Sequence, residues 1–88
     1  MTRPSVRMEV QGDGVADVTA EFAGEDKGAQ GVSLPFEASQ NVGFGFNTLF
    51  VDKAGVGTVC RIYVNNVLRQ EKVVDGEGKA TCTANNQE

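Results

Sequence analysis

The two cysteines, Cys60 and Cys82, are the residues with the widest range of possible chemistry in this chain of 88 residues. A cysteine can serve as a nucleophile, bind a metal ion or form a disulfide. A zinc site needs four ligands, and two cysteines in a chain without histidine do not supply them. A nucleophilic cysteine needs a base and a lowered pKa, which an apolar strand position disfavours. We therefore expect no metal site and no catalytic cysteine.

Two alternatives remain for these cysteines. Both occupy the inward phase of strand-like segments, TVCRIYV at 58–64 and KATCTA at 79–84. An even cysteine count in a small all-β chain favours a disulfide, provided that the compartment is oxidising. In a reducing cytoplasm we expect two packed, apolar thiols instead.

Carboxylates are the next candidates, because a pair of them can carry acid–base chemistry. Asp17, Glu21 and Glu37 lie on the polar phases of their segments, and nothing in the pattern marks them as buried or paired. We expect solvated side chains. The glycine-rich stretches QGDGV and DGEGK lack the spacing of phosphate or calcium loops and are typical of turns. No catalytic residue and no cofactor site is expected.

The aromatic residues suggest a core and one surface contact. Phe44, Phe46 and Phe50 are expected to fill the core, because a small domain needs most of its large apolar side chains there. A platform for a ligand is the alternative role of these three residues. Arg61 and Tyr63 lie on the polar phase of their segment and are the candidates for an exposed contact with a partner. Cross-strand pairing is the alternative role for both.

Composition excludes several classes of function. The net charge is −4, with no block of like charge, so nucleic acid and anionic membranes are not expected as partners. No window approaches the roughly 18 apolar residues of a membrane helix, and the first residues lack a signal-peptide core. We expect no direct membrane insertion of these residues, and a single domain spanning 1–88.

The elements that must position these residues are strands, because apolar residues recur with period two and no helical periodicity is present. Segments 5–10 and 15–23 alternate around a turn at 12–14, which predicts a hairpin with one apolar face. The polar segment 24–31 predicts a loop. Beyond it, Pro35 indicates an edge strand or a bend, with Leu34, Phe36 and Ala38 pointing inward.

The second half of the chain gives three further predictions. The apolar residues of 44–51 change phase, which favours a bulge near 47–48. Asn65-Asn66 predicts a two-residue type I′ turn, since asparagine tolerates positive φ. The return segment 67–74 is charged in its middle, which is typical of an edge strand.

About seven short strands with a turn roughly every ten residues predict an all-β fold, a small antiparallel β-sandwich of the immunoglobulin-like class. The terminal residues 1–4 and 85–88 are expected to fray.

Three stretches carry a resemblance to a known family. They are VRMEVQGDGVADVTAEF at 6–22, GVSLPFE at 31–37 and GTVCRIYVNNVLRQEKVVDGEGKATC at 57–82. Their order resembles the extracytoplasmic domain of the mycobacterial small membrane proteins, the MmpS family. The most specific parts are ExxGxGxADVT at 9–19, GVSLP at 31–35, and CRIxV at 60–64 followed by a cysteine in the last strand.

The resemblance implies a role and a location. Members of the family are typically anchored by one N-terminal helix, lie outside the cytoplasmic membrane, and work beside resistance-nodulation-division transporters of the MmpL type. It therefore implies a non-catalytic accessory domain in the export of lipids or siderophores, an extracytoplasmic location, and pairing of Cys60 with Cys82. The sequence departs from the family in having Asn65-Asn66 where Asp-Gly is usual and Phe36 where tryptophan is common.

A third departure from the family is that its anchoring helix is not among these residues. This departure suggests an alternative function. A free-standing relative that starts at Met1, encoded by a phage or another mobile element, would act in the cytoplasm. It would bind a host protein and keep its cysteines reduced. A lipid or siderophore bound inside the sandwich is less compatible with an interior filled by phenylalanine.

Overall fold

Two antiparallel sheets packed face to face form the structure, a computed structural model that describes residues 5–23, 25–43 and 45–85. Each sheet has four strands. The strands are β1 (Ser5–Gln11), β2 (Val15–Phe22), β3 (Glu25–Ser33), β4 (Phe36–Asn41), β5 (Phe46–Asp52), β6 (Val59–Val64), β7 (Val67–Val73) and β8 (Ala80–Asn85). The prediction of an all-β antiparallel sandwich is confirmed.

The first sheet has the order β4-β1-β6-β7, and the second has the order β3-β2-β5-β8. The described residues form eight strands rather than about seven, because the loop predicted at 24–31 is wrong. Most of that segment belongs to β3 (Glu25–Ser33), an edge strand of the second sheet. An edge strand tolerates the charged and glycine-rich composition that suggested a loop.

The hairpin predicted for the first two strands is also wrong. β1 and β2 lie in different sheets, and the connection 12–14 crosses from one to the other. An alternating segment has one apolar face whether its neighbour pairs with it or packs across the core, so the pattern does not distinguish the two. Gly12 packs closely at this crossing, since a Cβ there would lie 2.6 Å from Thr58 Oγ1.

The core contains the residues that alternation predicted. Inward side chains of β1, β2, β5, β6 and β8 are buried between the sheets, and each large one contributes about 1.5–3 kcal/mol. They include Val6, Met8, Val10, Val18, Phe22, Leu49, Ile62 and the two cysteines. Leu34, Phe36 and Ala38 pack against this core but are only partly buried. The inward orientation predicted for these three is confirmed.

Pro35 lies in the bend between the two edge strands β3 and β4, and its peptide bond with Leu34 is cis. The predicted bend is therefore confirmed, and β4 is an edge strand. The charged β7 is the other edge of the first sheet, also as predicted. The Asn65-Asn66 turn is confirmed, with φ values of 50° and 66°.

The bulge predicted near 47–48 is wrong. β5 pairs in unbroken register with β8 from Phe46 opposite Asn85 to Val51 opposite Ala80. Leu49 and Val51 face inward, so Phe46 and Phe50 face outward, and Asn47 takes the remaining inward position.

The connections 12–14, 34–35, 53–58 and 74–79 lie together at one end of the sandwich, which we call the loop end. Ser5 and Asn85 lie at the opposite end. Asn85 is the last residue of β8, whereas the other predicted tail residues lie outside the described part of the chain. No helix among the described residues is long and apolar enough to cross a membrane.

Candidate functional site

The cysteines form a disulfide that joins the two sheets. Cys60 in β6 and Cys82 in β8 are both fully buried, and their Cα atoms are 6.3 Å apart. Of the two alternatives left by the sequence, the structure has the disulfide. Neither sulfur is available as a thiolate, so this pair stabilises the sandwich and carries no nucleophile.

The acidic residues singled out from the sequence lie on the outer faces. Asp17 has a local role, since its Oδ1 accepts a hydrogen bond from the Gly31 N–H at 2.9 Å and its Oδ2 lies 3.7 Å from Lys53 Nζ. Glu21 and Glu37 lie on different sheets. Among the described residues, no three His, Cys, Asp or Glu side chains converge as a metal site would require.

A carboxylate at the loop end has a shifted pKa. Asp75 Oδ1 accepts hydrogen bonds from the N–H groups of Lys79 at 3.1 Å and Glu77 at 2.8 Å. These bonds, that of Lys79 first, lower the pKa of the Asp75 carboxyl, because they stabilise its charged form. The carboxylate is fully exposed, and its geometry is that of a turn that holds 75–79 in shape.

Arg61 and Tyr63, the predicted contact residues, lie side by side on the outer face of the first sheet. Arg61 Nε donates a hydrogen bond to Glu71 Oε2 across β6 and β7, and this bond raises the pKa of the guanidinium. The Arg7 guanidinium carbon lies 4.2 Å from the centre of the Tyr63 ring. Both residues are half-buried and engaged in cross-strand pairs. Their role in binding a partner stays a prediction.

Two phenylalanines on the second sheet are far more exposed. Phe46 has 68% and Phe50 has 41% of its surface open to solvent. The expectation that they fill the core is therefore wrong, while Phe44 lies outside the described residues. The change of phase of the apolar residues along 44–51 could have indicated this exposure. It arises because one regular strand, β5, has apolar residues on both of its faces.

Threonines surround the exposed rings. In the sheet register Thr19 and Thr81 lie on either side of Phe50, and Thr48 lies between the two phenylalanines along β5. We call the outer surface formed by Phe46, Phe50 and these threonines the phenylalanine face. None of these five residues is charged, although Glu21 lies opposite Thr48 and the Asp17–Asp52 pair lies next to Phe50 on the same outer face.

Asn47, on the inward face of β5 next to Phe46, is a polar residue in the core. Its side chain is fully buried. Oδ1 accepts a hydrogen bond from the Ala23 N–H at 2.8 Å, and Nδ2 donates one to the Ala84 carbonyl at 3.3 Å. The pairing of β2 with β5 ends at Glu21 and Thr48, so Asn47 supplies a bond where the backbone ladder stops.

No protein-family model matches the chain, and a search of the curated proteins finds no match. The resemblance to the MmpS family therefore stays a prediction. The arrangement of the described residues offers surfaces for binding, above all the phenylalanine face.

Proposed function

We propose that this chain is a non-catalytic accessory domain of the cell envelope that binds another protein through its phenylalanine face. By resemblance to the MmpS family, that partner is a resistance-nodulation-division transporter of the MmpL type, and the process is the export of lipids or siderophores. The observation that carries the binding function is the exposure of Phe46 and Phe50 on the outer face of the second sheet, where threonines flank Phe50.

The energetic argument starts from the cost of leaving two aromatic rings in water. Large exposed apolar groups mark interaction sites, and aromatic residues supply much of the binding energy at interfaces. Four residues apart on one strand, the two rings are separated by about 13 Å, which fits within a standard protein interface. Thr48 between the rings, and Thr19 and Thr81 beside Phe50, can be desolvated at lower cost than charged side chains.

The extracytoplasmic location is supported by the disulfide. A buried Cys60–Cys82 bond that joins the sheets is typical of proteins in oxidising compartments and rare in a reducing cytoplasm. The same bond is less compatible with the free-standing cytoplasmic alternative. An accessory domain outside the membrane also needs no catalytic residues of its own.

The test is co-purification from the native host. The natural gene, tagged at its C-terminus, is expressed as the wild type and as the double variant Phe46→Ser/Phe50→Ser, and bound proteins are identified by mass spectrometry after mild crosslinking. We expect an MmpL-type transporter with the wild type and at least a tenfold loss with the double variant.

A matched control uses exposed apolar residues of the other sheet. Val67 is 59% exposed and Leu68 is 47% exposed, both on β7. The variant Val67→Ser/Leu68→Ser should retain the transporter. Equal recovery with both double variants would contradict binding through the phenylalanine face, and recovery of a cytoplasmic protein alone would support the free-standing alternative.

A further inference from the structure

We propose that the outer edge of β4, along which no other described strand pairs, is a second binding site, which takes up an extended segment of another protein as an added antiparallel strand. The segment has apolar residues alternating with polar ones and a basic residue opposite Glu37. This inference concerns a different sheet from the phenylalanine face and does not rest on the proposed function.

Three of the four sheet edges are protected against such pairing. β7 has an extra residue at Arg69 that shifts its register, and it carries several charges. β3 has a register shift opposite Asp17. On β8 the outward Thr83 N–H donates to Gln70 Oε1 at 2.6 Å, so a side chain already occupies that edge.

β4 lacks these devices. All its residues, Phe36–Asn41, pair with β1 in one continuous register without a shift. Its sequence, FEASQN, contains no proline, no lysine and one charge. An unblocked, regular edge is a template for strand addition.

The hydrogen-bond alternation shows which groups β4 presents. Ser5 exchanges hydrogen bonds with Asn65 next to β6, since its carbonyl accepts from the Asn65 N–H at 2.8 Å. Along β1 the bonding direction alternates, so Val6 and every second residue after it bond to β4. The remaining β1 residues, Ser5, Arg7 and Glu9, bond toward β6. The β4 residues opposite them are Asn41, Ser39 and Glu37. Their N–H and C=O groups therefore point away from the sheet, toward an incoming strand.

The charge of Glu37 indicates which residue the added segment should have opposite it. Glu37 lies directly opposite Glu9 in a pair without mutual backbone hydrogen bonds, where side chains approach closely. Arg7 Nε lies 3.3 Å from Glu9 Oε2 and forms an ion pair with it. Among the described residues, no cation forms an ion pair with Glu37. Like charges at such a position are destabilising. A basic residue on an added strand would compensate the Glu37 carboxylate, as the net charge of −4 also favours.

The inward side of the same edge explains the apolar residues of the segment. Phe36 and Ala38 point toward the core but are only partly buried, because β4 is the outermost strand of the first sheet among the described residues. Apolar side chains on the inward face of an added strand would cover them. A second copy of this chain fits less well, because the antiparallel register that uses all the free groups places Glu37 opposite Asn41 and leaves the carboxylate uncompensated.

The experiment uses two blocked peptides, TVTVRV and TVTVEV, titrated into isotope-labelled protein and followed by NMR. In the antiparallel register the fifth residue of each peptide faces Glu37. We expect TVTVRV to bind with a dissociation constant roughly three- to tenfold lower than that of TVTVEV. The signals of Glu37, Ser39 and Asn41 should shift, and their amide exchange should slow.

Variants make the test specific. Glu37→Lys should reverse the preference between the two peptides. Ser39→Pro removes an outward N–H without breaking a bond to β1, so the fold is retained and binding of TVTVRV is lost. Ser39→Ala is the matched control that keeps binding. Thermal unfolding verifies that each variant is folded.

Several results would overturn the proposal. They are no binding of TVTVRV up to about 1 mM, equal binding of both peptides, or shifts confined to the phenylalanine face. Protection of the β4 amides by self-association without peptide would assign the edge to a second copy instead. None of these results bears on co-purification through Phe46 and Phe50, so the two proposals fail independently.

Discussion

Replacement of Asn47 should destabilise the sandwich more than replacement of any residue on its surface. The side chain is fully buried and bonds to two backbone groups, the Ala23 N–H and the Ala84 carbonyl. Asn47→Ala leaves both backbone groups without this hydrogen-bond partner and creates a small cavity between the sheets. Asn47→Leu fills the volume but leaves the same two groups without a hydrogen bond.

The magnitude follows from these two bonds. Each contributes about 1 kcal/mol, and a buried backbone group that loses its partner costs about 1–3 kcal/mol. We expect a loss of about 3 kcal/mol for Asn47→Ala, out of a total of about 4–13 kcal/mol for a chain of this length. In thermal unfolding this corresponds to a decrease in Tm of about 15 °C. Asn47→Leu should be destabilising as well.

The assay is equilibrium unfolding in urea together with calorimetry, with Thr48→Ala as the control. Thr48 is the neighbour of Asn47 on the outer face, so its replacement should cost less than about 1 kcal/mol. If Asn47→Leu proved as stable as the wild type, burial alone would account for the site and the hydrogen-bond reasoning would be refuted.

Three further predictions concern the disulfide and the loop end. Cys60→Ala/Cys82→Ala should lower the free energy of unfolding by about 3 kcal/mol, since the cysteines are separated by 22 residues, and unfolding of reduced wild type should show a similar loss. For Asp75, whose folded pKa lies below the usual value, the stabilisation is present above the usual carboxyl pKa and lost as pH falls through the folded one. Asp75→Asn should therefore lower Tm at neutral pH and converge with the wild type in acid; a constant difference from pH 7 to pH 2 would argue against this role. Gly78→Ala should cost roughly 2–3 kcal/mol, because φ is +78° and the added Cβ would lie 2.5 Å from a backbone oxygen of the β5–β6 connection. Gly76→Ala, with open space around it, is the matched control and should be nearly neutral.

The sequence was most informative where one face of a strand is apolar. Alternation predicted the inward residues of β1, β2, β6 and β8, and two asparagines in succession predicted the turn at 65–66. These features depend on local chemistry, because side-chain period and positive φ are properties of neighbouring residues. The disulfide was one of two alternatives, since its formation depends on the compartment as well as on the sequence.

Other features were missed because they depend on packing between distant segments. Alternation does not reveal whether the next strand is in the same sheet, so the crossing at 12–14 resembled a hairpin. β3 resembled a loop because edge strands tolerate charge. Phe46 and Phe50 were assigned to the core because composition alone does not show that the inward positions of β5 are Asn47, Leu49 and Val51.

The measurement that tests the central claim most directly is photo-crosslinking from position 50 in the native host. The natural gene carries a photoreactive phenylalanine analogue in place of Phe50, or in place of Glu77 at the loop end as the control. We predict that position 50 forms a crosslink to an MmpL-type transporter and that position 77 forms none. Crosslinks from position 50 to no envelope protein, in cells where the protein is present and folded, would contradict the account.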